Sequence, residues 1–432
     1  MPQTGDRMNV SAKVPNQRYI SRITQNTLAL VLAGGKGTRL GSLTSHRVKP
    51  AVPFGGHFRI IDFPLSNCVN SGIRRIGILT QYKAHSLIQH VHHGWAFLRS
   101  ELGEFMEVLP AQQRTGDEWY LGTADAVYQN MDILRLHDPT YLLVLGGDHI
   151  YKMDYGPMLA QHVSSGADVT VGCMPVPISE ASSFGIMEVD ATTRVQRFTE
   201  KPTQCEPMPD QPDYALASMG IYVFNTRYLL SRLMVDSNSA TSGHDFGKDI
   251  IPAAVADSDV FAFLYRGHDG ETSAYWRDVG SIDSYWKANM ELIGVNPELN
   301  IYDLRWPILT WQQQAPPAKF VLDEPGRCGV ATNSMVAGGC IVSGATVRNS
   351  VLSSHVTVAE GTTIESAVLL ENVRVGRDVH IKRAVIETGC IIPDGMHIGF
   401  DAVLDGGRFE RSDGGIILVT PEMLGQEVNH VR

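Results

Sequence analysis

Two aspartates and a cluster of cations carry the chemistry that the sequence suggests. Asp148, in "LLVLGGDHIYKMDY", stands just past an apolar run and two glycines, and Asp278, in "YWRDVGS", follows about 130 residues later. A carboxylate at a strand tip can hold Mg2+, a hard ion that prefers oxygen ligands and keeps several waters. The stretch "LVLAGGKGTRLGSLTSHRVKPAVPF" drops from a buried strand, Leu28 to Ala33, into Gly34, Gly35 and Gly37 and the cations Lys36, Arg39, Arg47 and Lys49. Bare backbone N–H groups and positive charge at a strand end favour a phosphate. Neither common phosphate motif fits: there is no G-x-x-x-x-G-K-[ST], and the third glycine of a G-x-G-x-x-G is replaced by Leu40, with Gly41 one place late.

"FTEKP" adds Glu200, able to accept from sugar hydroxyls, and Lys201, a point charge for phosphate. Each feature also has an ordinary reading: a glycine turn, a capping or loop aspartate, a solvated Glu–Lys pair. Together they make a metal-bound nucleotide the more economical account. His149, His244 and His268 show no ligand spacing, which predicts surface or loop roles, and no Ser-His-Asp or Cys-His arrangement is evident.

These residues must be positioned by a chain of 432 residues with net charge −10. The length predicts two domains. The negative balance argues against general binding to nucleic acid or membrane surfaces. Between Asp6 and Asp62, however, no acidic residue interrupts Arg7, Lys13, Arg18, Arg22, Lys36, Arg39, Arg47, Lys49 and Arg59, which favours a small polyanion as partner. Six dispersed cysteines without C-x-x-C, no 18-residue apolar run and no signal-like start predict a cytoplasmic protein.

Strand-like "RRIGILT", "TYLLVLGGD", "DVTVGCMPV" and "ASMGIYVF" alternate with helix-like "GTADAVYQNMDILRLH" and "SIDSYWKANMELIG", the latter capped by Ser281. The pattern predicts an α/β domain with a mostly parallel Rossmann-like sheet over 23–295, after an N-terminal arm at 1–22, with its ligand at the strands' carboxyl ends. A proline-spaced, aromatic linker over 296–330 should pack rather than float. From 331 to 432, 17-residue units place Leu352, Leu369 and Ile386, then Val358, Val375 and Ile392, then Ile364, Ile381 and Ile398 in one phase. Met335, Ile341 and Val347 extend that phase backwards, which predicts a left-handed parallel β-helix of about four coils.

The stretches "LAGGKGTRLGSLT", "FRIIDFPLSNCVNSGIRRIGILTQY", "WYLGTADAVYQN", "LGGDHIYKMDY", "FTEKP", "ALASMGIYVF", "HDFGKDIIP" and "YWRDVGS" jointly resemble the bacterial ADP-glucose pyrophosphorylases, or glucose-1-phosphate adenylyltransferases, from about residue 27 to the end. The resemblance implies transfer of AMP from ATP to glucose 1-phosphate for glycogen synthesis. It places Gly34, Gly35 and Gly37 along ATP, and Arg39 and Lys49 on its phosphates. Asp148 and Asp278 would hold Mg2+, and Tyr120, Gly185, Glu200, Lys201 and Ser218 would contact or position glucose 1-phosphate. A homotetramer is also implied, regulated by sugar-phosphate or AMP-type effectors bound between the N-terminal loop and the β-helix.

In that effector region His46, Pro53, Thr388 and Pro421 depart from the basic residues of some relatives, whereas Arg47 and Arg59 keep the pattern. Imidazole titrates between pH 5 and 8, so His46 would make effector binding pH-dependent. The competing readings are a sugar nucleotidyltransferase using UTP, dTTP or GTP, a bifunctional acyltransferase, and a catalytically silent regulatory subunit.

Overall fold

The buried run "TLALVL" forms β1 (Thr27–Leu32) at the centre of a sheet of nine strands. The protein is described by a computed structural model covering residues 17–35, 37–112, 119–209, 211–267 and 274–427. Lys36, His268 and the residues before 17, including Arg7 and Lys13, lie outside the described residues. The first described helix, Gln17–Gln25, leads directly into β1.

β2 (Arg75–Thr80), β3 (Phe105–Pro110) and β4 (Tyr141–Gly146) join β1 in the parallel order β3-β2-β1-β4. β1 and β4 are buried almost throughout, as strands covered on both faces must be. The sheet continues through β5 (Val169–Pro177), β6 (Gly185–Val189), β7 (Val195–Glu200), β8 (Tyr214–Asn225) and β9 (Val260–Leu264). The long β8 runs antiparallel to β4, β5 and β6, and β9 returns to the parallel sense beside β5. β2 lies on one side of β1 and β4 on the other. The crevice beyond the carboxyl ends of β1 and β4 is therefore a topological switch point, where open α/β sheets bind ligands.

One sequence expectation about the helices changes in detail. "GTADAVYQNMDILRLH" forms two helices, Thr123–Tyr128 and Met131–His137, rather than one. The break falls where Asn130 turns its amide onto the Tyr120 hydroxyl, at 2.9 Å, and onto the Ala126 carbonyl, at 2.8 Å. By contrast, Ser281 caps the helix Ile282–Glu291 as expected, in a reciprocal box with Ser284. The proline-spaced segment does pack: Trp306 Nε1 donates to Asn67 Oδ1 at 3.0 Å, Leu309 N–H to Ser66 Oγ at 2.8 Å and Thr310 Oγ1 to the buried Asp62 at 2.6 Å.

The C-terminal part is a parallel β-helix whose three faces are sheets of five, five and six strands. It has five rungs, one more than the sequence predicts, because Lys319–Val321, Val330–Thr332 and Met335–Val336 add a first coil interrupted by a small hairpin. The extrapolated phase slips there. Val336, not Met335, lies opposite Leu352, and Val342, not Ile341, lies opposite Val358, each 16 residues apart. Val347 and Ile364 keep the spacing of 17, so one corner is a residue shorter. In a strand, a shift of one residue exchanges the faces: Val342 is fully buried and Ile341 is 41% exposed.

Alternate residues of the six-stranded face serve two cores. Leu352, Leu369, Ile386 and Val419 fill the solenoid. Val351, Val368, Val385 and Leu418 point the other way, into a core shared with Leu40, Leu43, Phe54 and Tyr285 of the α/β domain. Hence the apolar dipeptides on this face: both sides of each strand are covered. The register predicts that Val342→Ala destabilises the chain by about 1–3 kcal/mol and Ile341→Ala by less. Denaturant unfolding of the two variants checks it, and the reverse ranking would restore the unshifted phase.

Candidate active site

Past β1 the chain turns through Gly34, Gly35 and Gly37 into a tight helical turn, Thr38–Thr44, that carries Arg39. A second short turn, Lys49–Ala51, starts on Lys49. Past β4, Gly146 and Gly147 deliver Asp148. The next residues, His149–Tyr151, pair antiparallel with Trp276–Asp278, placing Asp278 opposite His149. This small ladder closes the 130-residue gap between the two aspartates.

Lys49 then joins them. Its buried ammonium donates to Asp148 Oδ2 at 2.9 Å and to Asp278 Oδ1 at 2.6 Å. Arg39 approaches Asp278 from outside, Nη2 to Oδ2 at 3.6 Å, with its side chain 72% exposed. Burial alone would raise the Asp148 pKa, but the charges of His149 and Lys49 outweigh it and hold the carboxyl well below the usual carboxylate range. Burial likewise opposes the charge on Lys49, and Asp148 and Asp278 reverse the effect, keeping its pKa above the ordinary lysine value. Both shifts favour the charged forms at neutral pH.

These groups open on a cavity of about 570 Å³ lined by Gly34, Gly35, Gly37, Arg39, Lys49, Tyr120, Asp148 and Glu200, all anticipated from sequence. Gly185, Lys201 and Ser218 stand behind or beside the wall. Gly185 pairs with Glu200 across β6 and β7, and any side chain there would press on Phe198 and Glu200. Ser218 Oγ accepts from the Gly220 N–H at 3.2 Å, supporting the lining residue Gly220. Lys201 Nζ lies 3.5 Å from Glu200 Oε1, at the cavity rim.

Several wall residues were not singled out by sequence reasoning. Gln81 and Asp245 line the cavity. Asp245 accepts from Gly247 and Lys248 N–H groups at 2.9 and 3.1 Å and from Thr123 Oγ1 at 3.0 Å, fastening the helix Thr123–Tyr128 to the "HDFGKD" turn. The aspartate two residues before a glycine was a legible capping signal. His149, expected at the surface or in a loop, is drawn into the acidic group, with Nε2 3.6 Å from Asp148 Oδ1 and its ring beside Trp276. His244 instead bonds Asp236 at 2.7 Å, a structural contact.

Oxygens of Asp148 and Asp278 and a nitrogen of His149 lie within 4.8 Å of one another, among the described residues. The place between the carboxylates already holds the Lys49 ammonium, so the pair is built for positive charge. Two hard oxygen donors facing a phosphate-sized cavity fit a divalent cation.

The basic residues expected to regulate the protein lie elsewhere, along the seam with the β-helix. His46 Nε2 is 2.7 Å from Glu422, Arg47 Nη2 donates to Glu387 at 2.9 Å, and Arg59 Nη2 to Glu371 at 3.4 Å. Burial would lower the Arg47 pKa, but Glu387 and Glu371 raise it.

Comparison with known proteins gives two family matches: the nucleotidyl transferase model over residues 28–294 and a GlmU-like C-terminal hexapeptide model over 316–419. The second agrees with the left-handed β-helix read from the repeat. The chain is 58% identical over 417 residues to glucose-1-phosphate adenylyltransferase 2 of Alkalilimnicola ehrlichii, covering 96% of this chain and 99% of that one. It is 59% identical over 415 residues to the glucose-1-phosphate adenylyltransferase of Saccharophagus degradans, covering 96% and 98%. To that of Methylococcus capsulatus it is 57% identical over 417 residues, covering 96% and 98%.

Replacing Lys49 by alanine leaves two facing carboxylates without their shared cation. The expected loss at pH 7 is up to about 3 kcal/mol, since Asp148 is 37% exposed. In the parent chain the depressed Asp148 pKa stabilises above the unfolded value near 4 and that contribution fades as pH falls through the folded value. In the variant the carboxylates repel and are relieved by protonation, so the deficit narrows from pH 7 to pH 4. Thermal melts at both pH values, with and without added Mg2+, check this; an equal deficit throughout excludes the electrostatic origin.

Proposed function

The chain belongs to the glucose-1-phosphate adenylyltransferases, and from that premise we propose how its residues divide the transfer of an adenylyl group from ATP to glucose 1-phosphate, which yields ADP-glucose and pyrophosphate. The observation that carries the reading is the Lys49 ammonium shared by Asp148 and Asp278 at the mouth of the glycine turn.

A phosphate oxygen of glucose 1-phosphate attacks the α-phosphorus of ATP in line. The bond from that phosphorus to the bridging oxygen breaks, and its electron pair leaves with pyrophosphate. The nucleophile is already an anion, so no proton need be abstracted, which suits a cavity with no histidine among its described lining residues. The difficulty is the meeting of two polyanions, and electrostatic stabilisation of the spreading charge supplies most of the rate. Gly34, Gly35 and Gly37 offer backbone N–H groups to the ATP phosphates. Lys49, fixed by two carboxylates, supplies a preorganised positive charge, and the exposed Arg39 supplies one that can adjust. Asp148 and Asp278 would hold Mg2+, which when bound neutralises phosphate oxygens and eases departure of pyrophosphate. Glu200 accepts from the sugar hydroxyls, Lys201 anchors the sugar phosphate from the rim, and Tyr120, pinned by Asn130, positions the sugar. Gly185 and Ser218 act by shaping the wall behind Glu200 and Gly220.

The same reading extends to setting. The chain works in glycogen synthesis, in the cytoplasm, as a homotetramer under sugar-phosphate or AMP-type control. Six free thiols support a reducing compartment. The exposed Ile341 and Ile391, in register on the outward side of one face of the β-helix, support a further subunit contact. Among the described residues no helix is long and apolar enough to cross a membrane. An effector anion would bind at the seam by taking over Arg47 and Arg59 from Glu387 and Glu371.

Pyrophosphate release from glucose 1-phosphate with ATP, UTP, dTTP and GTP tests the assignment. Activity is expected with ATP, falling about 100- to 1000-fold in Asp148→Asn, while Lys201→Ala chiefly raises KM for glucose 1-phosphate. Preference for another nucleotide would identify a different sugar nucleotidyltransferase, and silence with all four would favour a regulatory subunit. Arg47→Ala is expected to abolish the response to sugar phosphates and AMP at unchanged basal rate; a retained response would sink the seam site.

A further inference from the structure

One side chain of the β-helix reaches the turn that carries Arg39. Glu410 belongs to the antiparallel pair Glu410–Arg411 and Ile417–Val419 at the end of the solenoid, and its Oε2 accepts a hydrogen bond from the Ser42 backbone N–H at 3.0 Å. The other carboxylate oxygen lies against Gly41, where an added Cβ would overlap it. Gly41 has φ 56° and ψ −137°, a combination that a side chain would strain severely. The kink in the Thr38–Thr44 turn and the seat for Glu410 are thus one feature. Thr44 Oγ1 pins the inside of the turn through the Gly37 and Gly41 carbonyls, both at 3.1 Å, and Glu410 holds the outside.

The same hairpin grips the opposite side of the site. Ser412 Oγ donates to Asp283 Oδ1 at 2.6 Å and the Gly414 N–H to Asp283 Oδ2 at 3.1 Å. Asp283 lies in the first turn of the helix Ile282–Glu291, shortly after Asp278. Between these two anchored segments Arg39 meets Asp278, its ion-pair partner among the described residues. An arginine so exposed takes its position from the backbone beneath it.

We propose that Glu410 is a positioning residue for adenylyl transfer, holding Gly41–Ser42 so that the turn presents Arg39 to ATP, with the C-terminal hairpin as the fixed reference. The proposal rests on Arg39 serving the ATP phosphates. A carboxylate receiving a backbone N–H makes a charge-assisted bond, stronger than its neutral counterpart. The effect at the reacting centre is geometric: a misplacement of about 1 Å can cost about 100-fold in rate.

Steady-state kinetics and melting curves of the full chain carrying Glu410→Ala, Glu410→Gln or Arg39→Ala provide the test. Glu410→Ala is expected to lower kcat/KM for ATP by about 10- to 100-fold, with KM for glucose 1-phosphate within about twofold and the melting temperature within about 3 °C. Glu410→Gln keeps an acceptor for the Ser42 N–H and recovers most of the loss. In an Arg39→Ala background, Glu410→Ala should cost less than in the parent, because both act through one group. Unchanged ATP kinetics in Glu410→Ala overturn the proposal, as does a loss shared equally by both substrates that tracks melting and is not recovered by glutamine. Full ATP activity in Arg39→Ala overturns the phosphate role of Arg39; an ATP-specific loss in Glu410→Ala would still assign Glu410 control of the turn.

Discussion

A buried ammonium shared by two carboxylates is the constraint on which this architecture depends. Lys49, Asp148 and Asp278 come from three distant segments, and none can be left alone where they meet without an uncompensated charge. The end of β4 fixes Asp148, the ladder from Trp276 to Asp278 fixes its partner, and the turn beginning at Lys49 brings the cation between them. On the proposed reading the arrangement is preorganised for phosphates, because its dipoles and charges would need little reorientation when a polyanion arrives.

The surrounding fold explains how such a site is held without either common phosphate motif. At the switch point between β1 and β4 the backbone itself faces the crevice, so a glycine turn suffices and no fixed G-x-G-x-x-G register is required. The proposed sugar-side residues Gly185 and Glu200 come from the antiparallel β6–β7 edge, where they pair. On the proposed assignment, the groups for the sugar and for the nucleotide thus come from the edge and the centre of one sheet.

The β-helix is a structural part of this site rather than an appended module. Its outward valines and Leu418 share a core with Leu40 and Leu43, the apolar residues of the Arg39 turn. Along the same seam His46, Arg47 and Arg59 each face a carboxylate of the solenoid. A displacement of the solenoid would reach the Arg39 turn through that core, because packed interfaces transmit displacement instead of absorbing it.

Local pattern was enough to determine much of the protein. The apolar runs gave the strands, the 17-residue period gave the solenoid, and aspartate after a glycine pair marked Asp148 at a strand tip. The Ser281 cap was likewise legible, since such signals depend on neighbours in the chain. Tertiary structure decided the rest. The pairing of His149–Tyr151 with Trp276–Asp278 brought Asp278 to Asp148 and drew His149 into the group, a long-range contact that no spacing records. A corner shorter by one residue moved Val342 inward in place of Ile341, because a period-two strand turns a one-residue slip into a change of face. Asn130 broke a helix by bonding Tyr120, and Glu410 found Gly41 and Ser42 across a domain boundary, with a fit that exists only once both domains are packed. Periodicity is written residue by residue, whereas the meeting of distant side chains is set by how finished elements pack.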